Sequence, residues 1–454
     1  MNWKTLTPDH DKLGSWEFYA KALMIELRQS LEEGLDVEQY RDLFNAVQQM
    51  PDTDVKARMS DLIYELVLNA PQQAEFAYEE PSDLAGILAL CKGVKAPQKA
   101  EIDVEKLKQQ IRGAWLGRIA GCLLGKPIEG IRTNELHPLL KESGNWPMHR
   151  YILSADVTQK MRDTFDYEFE YTCFADNIEC APADDDTNYT VMAQVMIDKF
   201  GRDFTTDHVA QTWVECQPKY AYCTAERVAF RNFVMGFRPP KSAVYKNPYR
   251  EWIGAQIRAD YYGYINPGDP AAAAEMAWRD AGISHVKNGI YGEMFVAAMI
   301  AQAAVENDIE KIIRTGMDFI PHTSRLYESL EKVVDAWKKG LSKEECMGII
   351  RERWNEHLTH DWCHTISNAM IVAACLLYGG GDFAASICMA VQEGFDTDCN
   401  GATVGSILGM RAGADTIPPY WLEPVHGMLD TQIFGVGRVS IEEVAEKTMA
   451  HIVL

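Results

Sequence analysis

Two stretches of this chain carry glycine at every fourth position: Gly113, Gly117, Gly121 and Gly125 in RGAWLGRIAGCLLG, and Gly401, Gly405, Gly409 and Gly413 in NGATVGSILGMRAG. In a helix that spacing puts all four glycines on one face. Glycine in a helix interior costs about 0.5–1 kcal/mol relative to alanine, so such a stripe is disfavoured unless another helix or a ligand must approach closely. The stripes predict two glycine-faced helices packed closely in one bundle. Apolar residues at three- and four-residue intervals also run through Ser15–Gln29, Val37–Met50, Asp54–Leu68, Pro81–Cys91 and Ile366–Tyr378, as in Met59, Leu62, Ile63, Leu66 and Val67. One alternating stretch, Phe165 to Tyr171, reads as a short strand with one apolar face. The expected fold class is all-α.

With 454 residues, 47% of them hydrophobic, the chain can bury at least one large core. Lys92 to Gln98 (KGVKAPQ) has the composition of an exposed connection. It divides a smaller N-terminal helical unit, residues 1–98, from a larger unit, residues 104–454. A formal net charge of -22 argues against nucleic acid as a partner, because phosphate neutralisation needs clustered Lys and Arg. An anionic ligand would have to be held by metal ions, backbone amides or helix N-termini. Met1 to Gly14 has no apolar export segment. The longest apolar run, Ala369 to Tyr378, has ten residues where a bilayer span needs roughly 20, so no membrane association is expected. Eleven scattered cysteines without a CxxC pair suggest neither a disulfide framework nor a zinc site, and fit a reducing cytoplasm.

Each glycine stripe has an acidic companion. Asp184-Asp185-Asp186-Thr187 stands ahead of the Thr190–Phe200 helix, and Asp396-Thr397-Asp398-Cys399-Asn400 opens the second stripe. Both sit where a helix begins, and N-capping needs one Asp at each. Adjacent carboxylates repel one another and resist ionisation when buried, so a divalent cation is their natural partner. Oxygen donors of this kind suit Mg²⁺, Mn²⁺ or Ca²⁺. A second candidate is His357, His360 and His364 in HLTHDWCH, whose spacing of three and four suits zinc on one helical face. A polar helix start explains the same residues.

Taken together and in this order, RGAWLGRIAGCLLGKPIEG at 112–130, DDDT at 184–187, the stretch Gly254 to Gly263, SHVKNGIYGEMFVAAMIAQA from Ser284 and GFDTDCNGATVGSILG from Gly394 resemble the ADP-ribosylglycohydrolase family. The resemblance runs from about Arg112 to Pro424. It implies a compact multi-helix bundle and two Mg²⁺ ions, with Mn²⁺ or Ca²⁺ as alternatives, beside an ADP-ribose pocket. The implied partner is an ADP-ribose-containing small molecule or an ADP-ribosylated protein. Residue by residue, Glu129 matches the glutamate that closes the first motif, Asp185 and Asp186 match the paired aspartates, and Asp396 and Asp398 match the DTD signature. Catalytic roles are implied for Glu129 and Asp186, and substrate contacts for Glu129, Arg258 and His285. Three positions depart from the pattern: Asp184 and Cys399 stand where the family places metal-coordinating hydroxyls, and Cys122 stands where an aspartate is common. With Asp184 and Cys399 counted as ligands, the expected metal set is Asp184, Asp185, Asp186, Asp396, Asp398 and Cys399. Non-catalytic ADP-ribose binding, as in crystallin-type relatives, and hydrolysis of another nucleoside-linked substrate remain open alternatives.

Overall fold

The computed structural model describes residues 8–92, 102–169 and 173–453. Its centre is the pair of helices predicted from the glycines, Val104–Gly125 and Thr397–Ala412. A Cβ added to Gly117 would lie 2.1 Å from the Gly405 carbonyl oxygen, and one added to Gly121 would lie 2.0 Å from that of Gly401. Backbone therefore packs on backbone along the seam. At its end, Thr397 Oγ1 donates to the Gly125 carbonyl at 3.1 Å. Asp103 starts the first helix by accepting from the amides of Glu105 and Lys106.

Helices Asn288–Ala303 and Thr365–Tyr378 pack against this pair and are buried on nearly every side, as their continuous apolar sequences require. Helix Ile441–His451 closes another flank, where Trp115 Nε1 donates to Thr448 Oγ1 at 3.0 Å. Among the described residues the only sheet is an antiparallel ladder of Met428–Asp430 with Arg438–Ser440. No helix among them is long and apolar enough to cross a membrane.

The expected strand at Phe165–Tyr171 does not form over the described part, residues 165–169. No neighbouring strand offers a ladder there. Instead the Glu135 carboxylate accepts from the amides of Asp166 and Tyr167, at 2.6 and 3.2 Å. The rings of Phe165 and Tyr167 each pack on Phe169. Hydrophobic alternation here marks an aromatic cluster on an irregular segment. Glu170 and Tyr171 lie outside the described residues.

The N-terminal segment carries helices Leu23–Glu32, Arg41–Gln48, Asp54–Leu68 and Leu84–Ala89. It has its own apolar cluster, including Leu23, Leu27, Phe44, Ile63 and Val67. Most of the expected connection, residues 93–98, lies outside the described residues. Charged groups tie the segment to the larger part. Arg250 pairs with Glu26 at 2.8 Å and Glu33 at 2.5 Å, Lys287 pairs with Glu33 at 2.7 Å, and Arg325 pairs with Glu80 at 2.7 Å. Gln29 Nε2 donates to Glu251 at 2.6 Å. Breaking a buried ion pair by removing one partner costs about 3–5 kcal/mol. A chain starting at Lys99 keeps all the acidic residues of the two clusters but strips Arg250 and Arg325 of these carboxylates. It is expected to melt well below the full chain in a thermal scan; equal melting temperatures would show that the ion pairs contribute nothing.

Candidate metal centre

The helix that the sequence placed at Thr190 begins five residues earlier, at Asp185, so Asp185 and Asp186 lie in its first turn. Asp184 is its N-cap and accepts from the Asp186 amide at 2.8 Å. Asp396 holds the N-cap position of Thr397–Ala412 but makes no side-chain cap hydrogen bond. Capping thus accounts for Asp184 and leaves Asp396 without that role.

The fold brings the two clusters together. Three sets of donor atoms lie within 4.8 Å of one another: Cys122, Asp184 and Asp186; Asp186, Asp398 and Cys399; and Glu129, Asp184 and Asp398. Asp185 is half-buried and faces a cavity of about 770 Å³ whose wall also includes Lys126, Asp184, Tyr220, Cys223 and Arg438. Close approach at Gly125 makes this convergence possible, since a Cβ there would lie 2.3 Å from the Asp398 nitrogen.

Two cations offset part of the negative charge. Arg118 Nη2 meets Asp186 Oδ1 at 3.0 Å and donates to the carbonyls of Asp186 and Ile257, while Nη1 meets Asp260 Oδ2 at 2.8 Å. Lys126 Nζ meets Asp184 Oδ2 at 2.7 Å and Glu129 Oε2 at 2.9 Å. Burial opposes the charge on Asp184, but the Lys126 ammonium overrides it and holds that carboxyl below its usual range. Asp186 and Asp398 go the other way. Burial, and then the neighbouring carboxylates, push both well above the carboxylate range, against the pull of Arg118 on Asp186. Asp185 rises for the same reasons.

Three buried oxygens, Asp186 Oδ2, Asp396 Oδ1 and Asp398 Oδ1, have no hydrogen-bond partner. Buried polar atoms normally find partners, and an oxygen-lined, carboxylate-rich site fits a hard divalent cation. The cysteines fit it less well. Cys363 Sγ donates to Asp396 Oδ2 at 3.5 Å, Cys122 lies within 4.8 Å of Asp184 and Asp186, and Cys399 lies within 4.8 Å of Asp186 and Asp398. Burial pushes all three thiols well above their usual range. They are neutral thiols beside the carboxylates, and Cys363 donates to one of them.

Protons and a cation compete for the same carboxylates, which sets a pH dependence. Burial, and then Glu129, push the Asp396 carboxyl up to about 6. An acid whose pKa is higher folded than unfolded loses its stabilising contribution as pH rises from near 4 through about 6. Above that range Asp396 is ionised and can hold a cation. The rise in melting temperature on adding Mg²⁺ should be absent near pH 5 and grow as pH rises through about 6 and beyond; a rise independent of pH would show that the ion binds elsewhere.

Arg258 and His285 are each 1% exposed and do not line the cavity. The Arg258 guanidinium pairs with Glu226 at 2.7 Å and with Asp280, and lies over the rings of Trp213 and Tyr189. His285 Nδ1 shares a hydrogen bond of 2.8 Å with Ser284 Oγ, and its Nε2 is 3.9 Å from Glu226. His357, His360 and His364 do not share a helical face, because a break separates Thr359–Trp362 from Thr365–Tyr378. His357 is exposed, whereas Trp252 Nε1 donates to His360 Nδ1 and the Ile366 amide donates to His364 Nδ1. Among the described residues they join no metal-binding group.

The sequence reading gave no role to Arg118 or Lys126, and noted Cys363 only between the histidines of HLTHDWCH. Arg118 and Lys126 had a signal: each is a charge within or just after a glycine-striped apolar helix that must be buried.

A model of the ADP-ribosylglycohydrolase family matches residues 103–453. Among curated proteins none matches. A solved structure described as an "ADP-ribosylglycohydrolase-related protein complex" is 16% identical, with a TM-score of 0.47, and the match covers 76% of this chain and 98% of that one. The family model spans most of the 454 residues, from the start of the first glycine helix to the C-terminal helix, and the chain belongs to the ADP-ribosylglycohydrolase family.

Proposed function

We propose that the protein hydrolyses a glycosidic bond to ADP-ribose, carried by a small molecule or by an ADP-ribosylated protein, and that it depends on a divalent cation, Mg²⁺ in the first instance. The observation that carries this reading is the set of unpartnered carboxylate oxygens on Asp186, Asp396 and Asp398, beside a cavity walled by Asp184 and Asp185. Asp186 and Asp398, whose donor atoms lie within 4.8 Å of one another, would hold the cation with Asp396 close in sequence, and the cation when bound supplies Lewis acidity and a fixed point for sugar hydroxyls.

Cleavage at the anomeric carbon of a ribose passes through an oxocarbenium-like state, so the site must stabilise positive charge on the sugar and take a proton from water. Asp184 and Asp185 set a negative potential at the cavity wall. On this reading Glu129, whose side chain is 28% exposed and paired with Lys126, orients the substrate and accepts a proton. Arg258 and His285 do not line the cavity and take no direct part in this reading.

The test is ADP-ribose release from a panel of ADP-ribosyl-arginine, ADP-ribosyl-serine and nucleotide substrates, with Mg²⁺, Mn²⁺, Ca²⁺ or chelator. Glu129→Gln should lower turnover about 100-fold or more while keeping the metal-induced rise in melting temperature. Full turnover by Glu129→Gln would remove the base role. Binding of ADP-ribose without turnover of any substrate would establish the non-catalytic reading instead.

A further inference from the structure

One of the three donor sets already encloses a cation that belongs to the chain. Glu129, Asp184 and Asp398 form that set, and Lys126 Nζ stands 2.7 Å from Asp184 Oδ2 and 2.9 Å from Glu129 Oε2. Lys126 follows Gly125, whose backbone is pressed against Asp398, so the root of the lysine is fixed beside the second acidic cluster. Its side chain is 14% exposed and is committed to these carboxylates. A divalent ion bound by the same oxygens would lie in contact with the ammonium, and two cations cannot share those donors without strong repulsion. Unpartnered oxygens remain at Asp186 Oδ2, Asp396 Oδ1 and Asp398 Oδ1, and Asp186 and Asp398 belong to a second donor set that includes neither Glu129 nor Asp184. There the neighbouring cation, Arg118, is turned toward Asp186 Oδ1, the Asp186 and Ile257 carbonyls, and Asp260.

We infer that the Lys126 ammonium stands in for one of the two divalent ions implied by the resemblance, so that this protein holds a single divalent ion, on Asp186 and Asp398. The inference rests on the metal-dependent reading above and deepens it. Asp184 belongs with the lysine on this view. A carboxylate at that position, where relatives place a hydroxyl, matches a fixed monovalent cation next to it. The substrate then meets an ammonium where a second exchangeable ion would otherwise sit, so activity depends on the concentration of one ion.

The experiment is Mn²⁺ titration of the chelator-stripped full chain by calorimetry, with electron paramagnetic resonance of the loaded protein. Wild type should bind one Mn²⁺ per chain and show the six-line spectrum of an isolated ion. Lys126→Met removes the ammonium at similar length and should bind two, with a spin-coupled spectrum. Lys126→Arg keeps the charge and should bind one. Two ions on wild type would overturn the lysine substitution and leave metal dependence standing. One ion on a folded Lys126→Met protein would also overturn it, because the ammonium would then not be what excludes the second ion. No Mn²⁺ on wild type would bring down the metal-dependent reading itself. If Lys126→Met fails to fold, the wild-type count and spectrum decide alone.

Discussion

Asp186→Asn and Asp398→Asn are each expected to abolish metal-induced stabilisation while leaving a folded protein. Wild type at an ion concentration about 100 times Kd should gain roughly 2.7 kcal/mol, read as a rise in melting temperature, and neither variant should gain measurably. Asparagine keeps the shape and one oxygen but lacks the charge that holds a divalent ion. The alternative, that these residues only serve helix starts, predicts little change, because loss of a charge in a helix first turn costs about 0.3–1 kcal/mol. Without metal the two variants should differ from each other. Asp398 lies among Glu129, Asp184 and Asp396, so its neutralisation relieves repulsion and should raise the apo melting temperature. Asp186 is the buried partner of Arg118 at 3.0 Å, so its neutralisation should lower it. Thermal melts with and without Mg²⁺ measure both effects. Equal metal-induced stabilisation in all three proteins would leave two capped helices and no metal centre.

What could be read from the sequence was whatever depends on local spacing. Four-residue glycine repeats admit few explanations other than close helix packing, and the Gly117 to Gly405 approach is that packing. Two acidic clusters at helix starts were legible because capping needs only one carboxylate each. Charge balance across the centre was not legible. Whether Lys126 turns toward Asp184 and Glu129 or out to solvent depends on where the first cluster lies, and that is set by the separate helix that begins at Asp185. The Phe165–Phe169 alternation misled because period-two patterning reports which side chains are apolar, while a strand also needs a partner backbone, and here a glutamate takes the amides. Residues 1–98 read as a unit of their own because helix periodicity says nothing about which charges pair. Glu26, Glu33 and Glu80 look like solvent-facing residues until Arg250 and Arg325 are folded against them.

Gly121→Ala is expected to destabilise the protein severely, by about 3 kcal/mol or more, at the upper end of what overpacking costs. The added methyl would lie 2.0 Å from the Gly401 carbonyl oxygen, 2.4 Å from its carbon and 2.9 Å from the Ala402 nitrogen. All three are helix backbone atoms, so no rotamer change can relieve the clash, and the two central helices must move apart. Their separation would carry Lys126 and Glu129, at the end of one helix, away from Asp396 and Asp398, at the start of the other. Metal-induced stabilisation should therefore weaken together with the fold. The sign of the effect is diagnostic, because alanine is the better helix former by about 1 kcal/mol when nothing opposes it. Gly348 supplies the control: it lies exposed within helix Lys343–Arg353, and a Cβ there would meet nothing within 4 Å. Gly348→Ala should raise the melting temperature slightly and Gly121→Ala should lower it sharply or prevent folding. If both substitutions stabilised the protein, the two glycine helices would not be in backbone contact, and the route by which the fold joins the two acidic clusters would have to be different.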